Sequence, residues 1–172
     1  MVDESAPGSA NLWSSSGVAR ATGTKLIADN RRARHEYHLL ERLEAGIALT
    51  GTEVKSLRGG GVSLDRAFAD VREGEVFLVG AHIGEYAQGS VGAHEPERDR
   101  KLLLHRREID SLFGKVRERG LTLVPTRMYF KDGRVKVELA LAKGKEARDK
   151  RRDLADRDAR RQIERALKER SR

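Results

Sequence analysis

Residues 121–142 carry the pattern that most constrains the fold. Two stretches, 121–131 and 134–142, flank the Asp132-Gly133 pair, and an Asp-Gly pair between such stretches is the strongest short-range signal of a β-hairpin. In the second stretch, large apolar residues alternate with charged or small ones, which predicts a strand with one buried face. Pro125 indicates a bulge or a strand edge in the first stretch.

Further short strands are expected at 36–43, 46–50, 67–72 and 75–81. Tight turns at 44–46 and at Glu73-Gly74 would connect them in pairs. The chain then has about six short strands, and an antiparallel barrel is the arrangement that leaves no exposed edge. The pattern alone therefore predicts a mainly β, barrel-like α+β domain.

Three helices are expected within this domain, at 31–35, 52–58 and 103–119. Asn30 can cap the first helix, and Gly59-Gly60-Gly61 ends the second. The third has Ile109, Leu112, Phe113 and Val116 at the spacing of one buried stripe. Residues 85–99 are expected to form a long loop.

Composition and charge divide the chain into three parts. Residues 1–24, rich in Ser, Gly and Ala, are expected to be a disordered leader, followed by a folded domain at 25–142 and a basic tail at 143–172. The tail has 13 Lys or Arg against 7 Asp or Glu, whereas residues 1–142 have 22 against 20. A concentrated basic segment binds polyanions, because each phosphate contact releases condensed counterions. A helix that merely improves solubility is the alternative interpretation of the tail.

Within the tail, Leu154, Ala159, Ile163 and Leu167 are interpreted as a thin apolar stripe on a helix over 148–170. So narrow a stripe does not hold a helix against the domain, and unpacked helices are marginal in water. We therefore expect the tail to be disordered alone and helical on a surface. A membrane-surface helix is the rival, but the tail has no Trp or Phe anchor.

No pattern predicts an enzyme, a cofactor or a metal site. The chain has no cysteine, which excludes disulfides and thiolate chemistry and is consistent with a reducing cytoplasm. No nucleophile-elbow or glycine-rich cofactor fingerprint is present, and no histidine spacing is typical of a metal site. No apolar run approaches the length of a membrane span.

Four stretches, in this order and spacing, resemble the SsrA-binding protein family of bacterial trans-translation. The second, from Glu44 to Arg58, is the most distinctive. The others are 30–37, 100–105, and 136–145 followed by Asp149-Lys150-Arg151. The resemblance covers about residues 25–170 and implies an oligonucleotide-binding-type closed barrel with added helices.

The resemblance also implies a function and partners. The domain would bind the tRNA-like domain of transfer-messenger RNA and deliver this RNA to stalled ribosomes, so that incomplete proteins are tagged. The tail would lie in the vacant mRNA channel near the decoding centre of the small subunit. A cytoplasmic monomer is expected. The alternatives are a general ribosomal protein or RNA chaperone with a similar barrel and, more distantly, a ribonuclease.

Asn30, Glu44 and Leu103 match family positions implicated in RNA binding. An asparagine can donate and accept, a carboxylate can accept from a base edge or hold a neighbouring arginine, and Leu103 can pack on an exposed base unless it belongs to the core. The candidate phosphate contacts, each with a plain surface role as the alternative, are Arg32, Arg34, His35, Lys55, Arg58, Arg100 and Lys101.

The residues that match the ribosome-contacting region of the tail are Lys143, Lys145, Arg148, Asp149, Lys150 and Arg151. Many family members have His or Tyr at the position of Arg148. An aromatic ring there can stack on a base, and a guanidinium plane can also stack while adding charge.

Overall fold

The computed structural model describes residues 23–86 and 94–170. Nearly all of the predicted leader, and residues 87–93 of the predicted long loop, lie outside this part of the chain. The strands are β1 Thr24–Asp29, β2 Tyr37–Ile47, β3 Val62–Ser63, β4 Phe68–Arg72, β5 Glu75–Val79, β6 His82–Ile83, β7 Arg100–Leu103, β8 Thr122–Lys131 and β9 Arg134–Gly144. The helices are α1 Arg31–Glu36, α2 Gly51–Arg58, α3 Arg106–Arg119 and α4 Ala147–Arg170.

Six antiparallel strands are hydrogen-bonded in a ring. Their order is β8-β4-β5-β7-β2-β9, and β9 pairs in turn with β8. Strand β1 lies outside the ring, paired with the end of β8, and β3 and β6 form a separate two-stranded sheet. The fold is therefore mainly β with added helices, as predicted.

The inward-facing side chains of the ring form one hydrophobic core. Leu78, Leu102, Met128 and Leu139 are among its most buried members. Helix α3 contributes Ile109 and Leu112, both buried, whereas Phe113 is 47% exposed. The predicted stripe of this helix is thus correct except at Phe113.

The β8–β9 hairpin is confirmed. Lys131 pairs with Arg134, and the intervening Asp132 and Gly133 have φ angles of 50° and 75°. Positive φ at both central residues is what a two-residue turn of type I′ requires. The predicted irregularity at Pro125 is also present, since the register shifts between Pro125 and Arg127.

Three predicted boundaries are wrong. The strand expected at 46–50 ends at Ile47, and Thr50 caps α2 instead. The turn at 44–46 is absent, because β2 runs continuously and Glu44, Ala45 and Gly46 pair with successive residues of β9. The third helix begins at Arg106 rather than at Leu103, which lies in β7 instead. The helix start is set by Glu108, whose carboxylate accepts from the His105 backbone N–H at 2.8 Å.

Helix α4 begins three residues after β9 ends, and most of its side chains are exposed. The residues of the predicted apolar stripe do not all lie on one face of the helix. Leu154 and Ile163 are nine residues apart, which at about 100° per residue places them on opposite sides of the helix. Both are exposed. The expectation that the tail is disordered in the free protein stays a prediction.

Candidate nucleic-acid interface

Four neighbouring strands place Leu103, Gly46, Lys136 and Tyr129 in one row across the outer face of the ring. Leu103 of β7 pairs with Gly46 of β2, Gly46 pairs with Lys136 of β9, and Lys136 pairs with Tyr129 of β8. Paired residues of antiparallel strands project to the same face. We call this row, together with Glu44 and Lys131, the outer-face row.

Leu103 is 54% exposed and lies over Gly46. A Cβ atom at Gly46 would be 3.1 Å from the Cβ of Leu103, so a larger residue would push Leu103 away. Strand alternation explains the exposure, because Leu102 points into the core and Leu103 points out. The alternative that Leu103 belongs to the core is therefore wrong.

Glu44 lies two residues from Gly46 on the same face of β2, and its carboxylate has two partners on β8. The Tyr129 hydroxyl donates to Oε2 at 2.6 Å, and the Lys131 ammonium donates to Oε2 at 2.9 Å and to Oε1 at 3.1 Å. These hydrogen bonds lower the pKa of Glu44, with the one from Tyr129 as the main cause. Burial and the hydrogen bond to Glu44 raise the pKa of Tyr129. At neutral pH, Glu44 is therefore ionised and the Tyr129 hydroxyl keeps its proton.

A groove of about 740 Å³ adjoins the row. Leu103 lines it together with the basic side chains of Lys101, Arg106, Arg134 and Lys136, and with the carboxylates of Glu75 and Glu108. The groove therefore combines an exposed apolar side chain with four cationic side chains and two acidic ones. Such a surface suits a nucleotide, which presents an apolar base face and an anionic phosphate.

The predicted phosphate contact at Arg100 is wrong. Arg100 is fully buried, because alternation along β7 places it on the inward face beside Leu102. Its guanidinium donates to Glu53 at 2.8 Å, to the Ala81 carbonyl at 2.7 Å and to the Pro96 carbonyl at 2.9 Å. All of these partners are internal, so Arg100 holds the fold together.

The prediction of a direct RNA contact from Asn30 is corrected on the same grounds. Asn30 is 2% exposed. Its amide nitrogen donates to the carbonyls of Leu64 and Pro125, each at 2.9 Å, and its oxygen accepts from the Ala33 N–H at 2.9 Å. Asn30 is the predicted cap of α1, and its side chain also joins this helix to two other segments.

The other predicted phosphate contacts reach the surface. Arg32 donates to Glu36 at 2.8 Å, Arg34 pairs with Asp29, and Lys101 pairs with Glu75. His35 is half-buried in α1. Lys55 and Arg58, on α2, line a separate cavity of about 660 Å³, and the Lys55 ammonium lies 5.8 Å from the centre of the Tyr86 ring. The structure thus divides these residues among three places: α1, β7 and α2.

The first residues of the predicted tail site differ in exposure. Lys143 is exposed on β9, but the Lys145 side chain is only 9% exposed and donates to the Arg34 carbonyl at 3.0 Å. Asp149 lies 3.2 Å from Nε2 of His38. Arg148 and Arg151 are exposed on α4, and Lys150 is half-buried there. In this conformation Lys145 therefore joins the tail to α1, and Asp149 joins it to β2.

Sequence reasoning missed Tyr129, Lys131 and Lys136 as members of the outer-face row. The alternation that predicted β8 and β9 was the available signal, because it places these residues opposite the buried Met128 and Val137. Glu53 was interpreted as a charge at a helix N-terminus and does lie in the first turn of α2, but its full burial and its pairing with Arg98 and Arg100 were not predicted.

Two further observations concern metal binding and membrane-spanning helices. Among residues 23–86 and 94–170, no group of three or more His, Asp or Glu side chains is placed to hold a metal ion. In the same part of the chain, no helix has both the length and the apolar character needed to span a bilayer.

Comparison with known proteins gives one consistent result. The model of the SmpB protein family matches residues 27–169. An SsrA-binding protein of Acidothermus cellulolyticus is 62% identical over 150 residues, which cover 87% of this chain and 94% of that protein. One of Salinispora arenicola is 60% identical over 154 residues, covering 90% of this chain and 97% of the relative.

A solved structure described as "tmRNA-SmpB: a journey to the center of the bacterial ribosome" is similar to the fold. The two chains are 53% identical with a TM-score of 0.60, and the match covers 70% of this chain and 85% of the other. The family match spans far more than half of the residues, and the relatives are matched over nearly their whole length. The chain therefore belongs to the SmpB protein family.

Proposed function

We propose that this protein binds transfer-messenger RNA and acts with it on stalled ribosomes in trans-translation, the process that rescues the ribosome and tags the incomplete product. The observation that carries the proposal is the outer-face row, which runs from Leu103 on β7 to Tyr129 on β8 and includes Lys136 and Lys131. Family membership and the SsrA-binding relatives support the same function. The protein then has a binding role rather than a catalytic one.

The ring of six strands is proposed to be a closed barrel of the oligonucleotide-binding type. Its support is the unbroken antiparallel pairing from β8 through β9 and back to β8. A rigid curved surface suits a folded RNA, which proteins recognise by shape, unstacked bases and 2′-hydroxyl groups. The partner on this surface is proposed to be the tRNA-like domain.

Two groups of residues are proposed to contact RNA. Glu44, Leu103 and Lys101 belong to the outer face around the row, and the surface cations Arg32, Arg34, His35, Lys55 and Arg58 supply phosphate contacts elsewhere. Asn30 and Arg100 act indirectly, since both are buried and hold the strands and helices that carry the surface.

Helix α4 is proposed to lie in the vacant mRNA channel of the small ribosomal subunit. Its support is the excess of basic residues at 143–172 and their exposure along the helix. Lys143, Arg148, Lys150 and Arg151 would contact ribosomal RNA, and the guanidinium of Arg148 would stack on a base near the decoding centre. A ribosomal partner places the protein in the cytoplasm, where we expect it to act as a monomer.

A reconstituted translation reaction with a message that lacks a stop codon tests this function. We expect the degradation tag to appear on the stalled product only when transfer-messenger RNA and this protein are both present. A matched reaction with an ordinary stop codon should give no tag. Tagging that is equally efficient without the protein would overturn the proposal.

A further inference from the structure

The ring of Tyr129 lies next to the two lysines of the outer-face row. The register places Tyr129 beside Lys136, and Lys131 follows two residues later on the same strand face. Tyr129 is half-buried. A partly exposed Tyr on a sheet face, with ammonium groups beside it, is a surface on which an unpaired base can stack while its phosphate meets a cation.

The carboxylate of Glu44 is engaged by this same group. Tyr129 and Lys131 together make three hydrogen bonds to its two oxygens. A carboxylate so occupied fixes the hydroxyl end of Tyr129 and the position of the Lys131 ammonium. Glu44 is itself exposed, so an experiment has to distinguish this positioning role from a direct contact with RNA.

We propose that Tyr129 stacks on an unpaired nucleotide of the bound RNA and that Glu44 is a positioning residue, which holds Tyr129 and Lys131 in place for this contact. Leu103 lies at the other end of the row, three strands from Tyr129, and is not part of this contact. This inference rests on the proposed function, because it names how that site takes hold of its RNA.

Binding of a transfer-messenger RNA tRNA-like fragment by the full chain, measured at fixed salt, tests the proposal. Tyr129→Leu removes the ring, and we expect it to weaken binding about tenfold or more, since stacking on one base contributes about 1–3 kcal/mol. Tyr129→Phe keeps the ring but loses the hydrogen bond to Glu44, so we expect it to weaken binding less than Tyr129→Leu does and by no more than Glu44→Ala does. Phe68→Leu is the matched control, because Phe68 is also exposed but lies on β4, outside the row.

A double-mutant cycle tests the role of Glu44. If Glu44 acts by positioning Tyr129, Glu44→Ala weakens binding in the parent protein but adds little in the Tyr129→Leu background. The same loss in both backgrounds would mean that Glu44 contacts RNA itself, which overturns its assignment. Glu41→Ala is the control on the same strand, since Glu41 pairs with Lys115 instead.

Ultraviolet cross-linking of the unmodified protein to the RNA fragment keeps the test valid if Tyr129→Leu does not fold. A cross-linked peptide that contains Tyr129 supports the contact, and cross-links that map only elsewhere overturn it.

The binding titrations of the parent protein and its variants also include ordinary tRNA. If the parent protein prefers the tRNA-like fragment and Tyr129→Leu binds as Phe68→Leu does, this inference fails while the proposed function stands. If the parent shows no preference, the proposed function itself fails.

Discussion

The guanidinium of Arg100 donates from Nε to Oε1 of Glu53 at 2.8 Å, and both side chains are fully buried. Arg98 also donates to this carboxylate, and the Thr50 backbone N–H donates to Oε2 at 2.7 Å. The network joins α2 to β7. A buried ion pair needs all of its hydrogen bonds to offset the loss of hydration.

Removal of Glu53 should destabilise the fold strongly. Glu53→Ala leaves the Arg100 charge buried without its counterion, and we expect the free energy of unfolding to fall by about 3–5 kcal/mol. Urea unfolding at neutral pH measures this difference. Glu75→Ala is the control, because its ion pair with Lys101 is exposed and should contribute at most about 1 kcal/mol. Equal effects of the two substitutions would contradict the account.

Stability should fall in acid because of the same carboxylate. Burial raises the pKa of Glu53, but the hydrogen bonds from Arg98, Thr50 and Arg100 outweigh it and lower the pKa from 4.5 to about 2. A carboxyl group with a lowered folded-state pKa stabilises the fold fully above 4.5 and loses that contribution as the pH falls towards 2. Urea midpoints should therefore drop across this range, and Glu53→Gln should show a smaller drop. Parallel pH curves for the two proteins would count against this assignment.

Replacement of Asn30 should lower the stability of the fold more than it lowers the affinity for RNA. Asn30→Ala removes the cap of α1 and leaves the buried carbonyls of Leu64 and Pro125 without their donor. A lost cap costs about 1 kcal/mol, and an unsatisfied buried group costs about 1–3 kcal/mol. We expect a reduced free energy of unfolding in urea and near-normal RNA affinity for the fraction that remains folded. A fully stable variant with lost affinity would show a direct contact instead.

The position at which the tail is cut should determine whether only tagging is lost or the fold is weakened as well. Strand β9 continues to Gly144, which pairs with Tyr37, and the Lys145 N–H donates to the Glu36 carbonyl at 2.8 Å. A chain ending at residue 146 keeps these contacts, so we expect it to bind the tRNA-like fragment within about threefold of the full chain while tagging is abolished. Binding titrations and the tagging reaction measure the two activities.

A chain ending at residue 142 is the companion variant. It lacks the last pairs of β2 with β9 and should unfold at lower urea concentration than the chain ending at 146. Equal loss of RNA binding and tagging in the chain ending at 146 would refute the separation of roles between the folded domain and the tail.

Local sequence signals predicted the elements that depend on local chemistry. The β8–β9 hairpin followed from Asp132-Gly133, and the start of α1 followed from Asn30. The continuous strand β2 could not be predicted in this way. Glycine is common in turns, whereas Gly46 lies within the strand and leaves room for the side chain of Leu103. Its extended conformation is fixed by pairing with β9, about 90 residues away.

The candidate site was predicted in part for a similar reason. The outward position of Leu103 and the burial of Arg100 both follow from the alternation of β7, a four-residue strand that local pattern did not reveal. Once Leu103 is assigned to a strand, Arg100 must face the core. The pairing of Glu44 with Tyr129 joins residues 85 positions apart, so no local spacing could indicate it.

The most direct test of the central claim is a gel-shift titration of the full protein at fixed physiological salt, with three RNAs in parallel. These are the tRNA-like fragment of transfer-messenger RNA, an ordinary tRNA and an unrelated hairpin. The account predicts a preference of about a hundredfold for the fragment, roughly 3 kcal/mol at 1.4 kcal/mol per tenfold. Near-equal affinity for all three RNAs, lost together as salt is added, would contradict it, because such binding is generic attraction to phosphate.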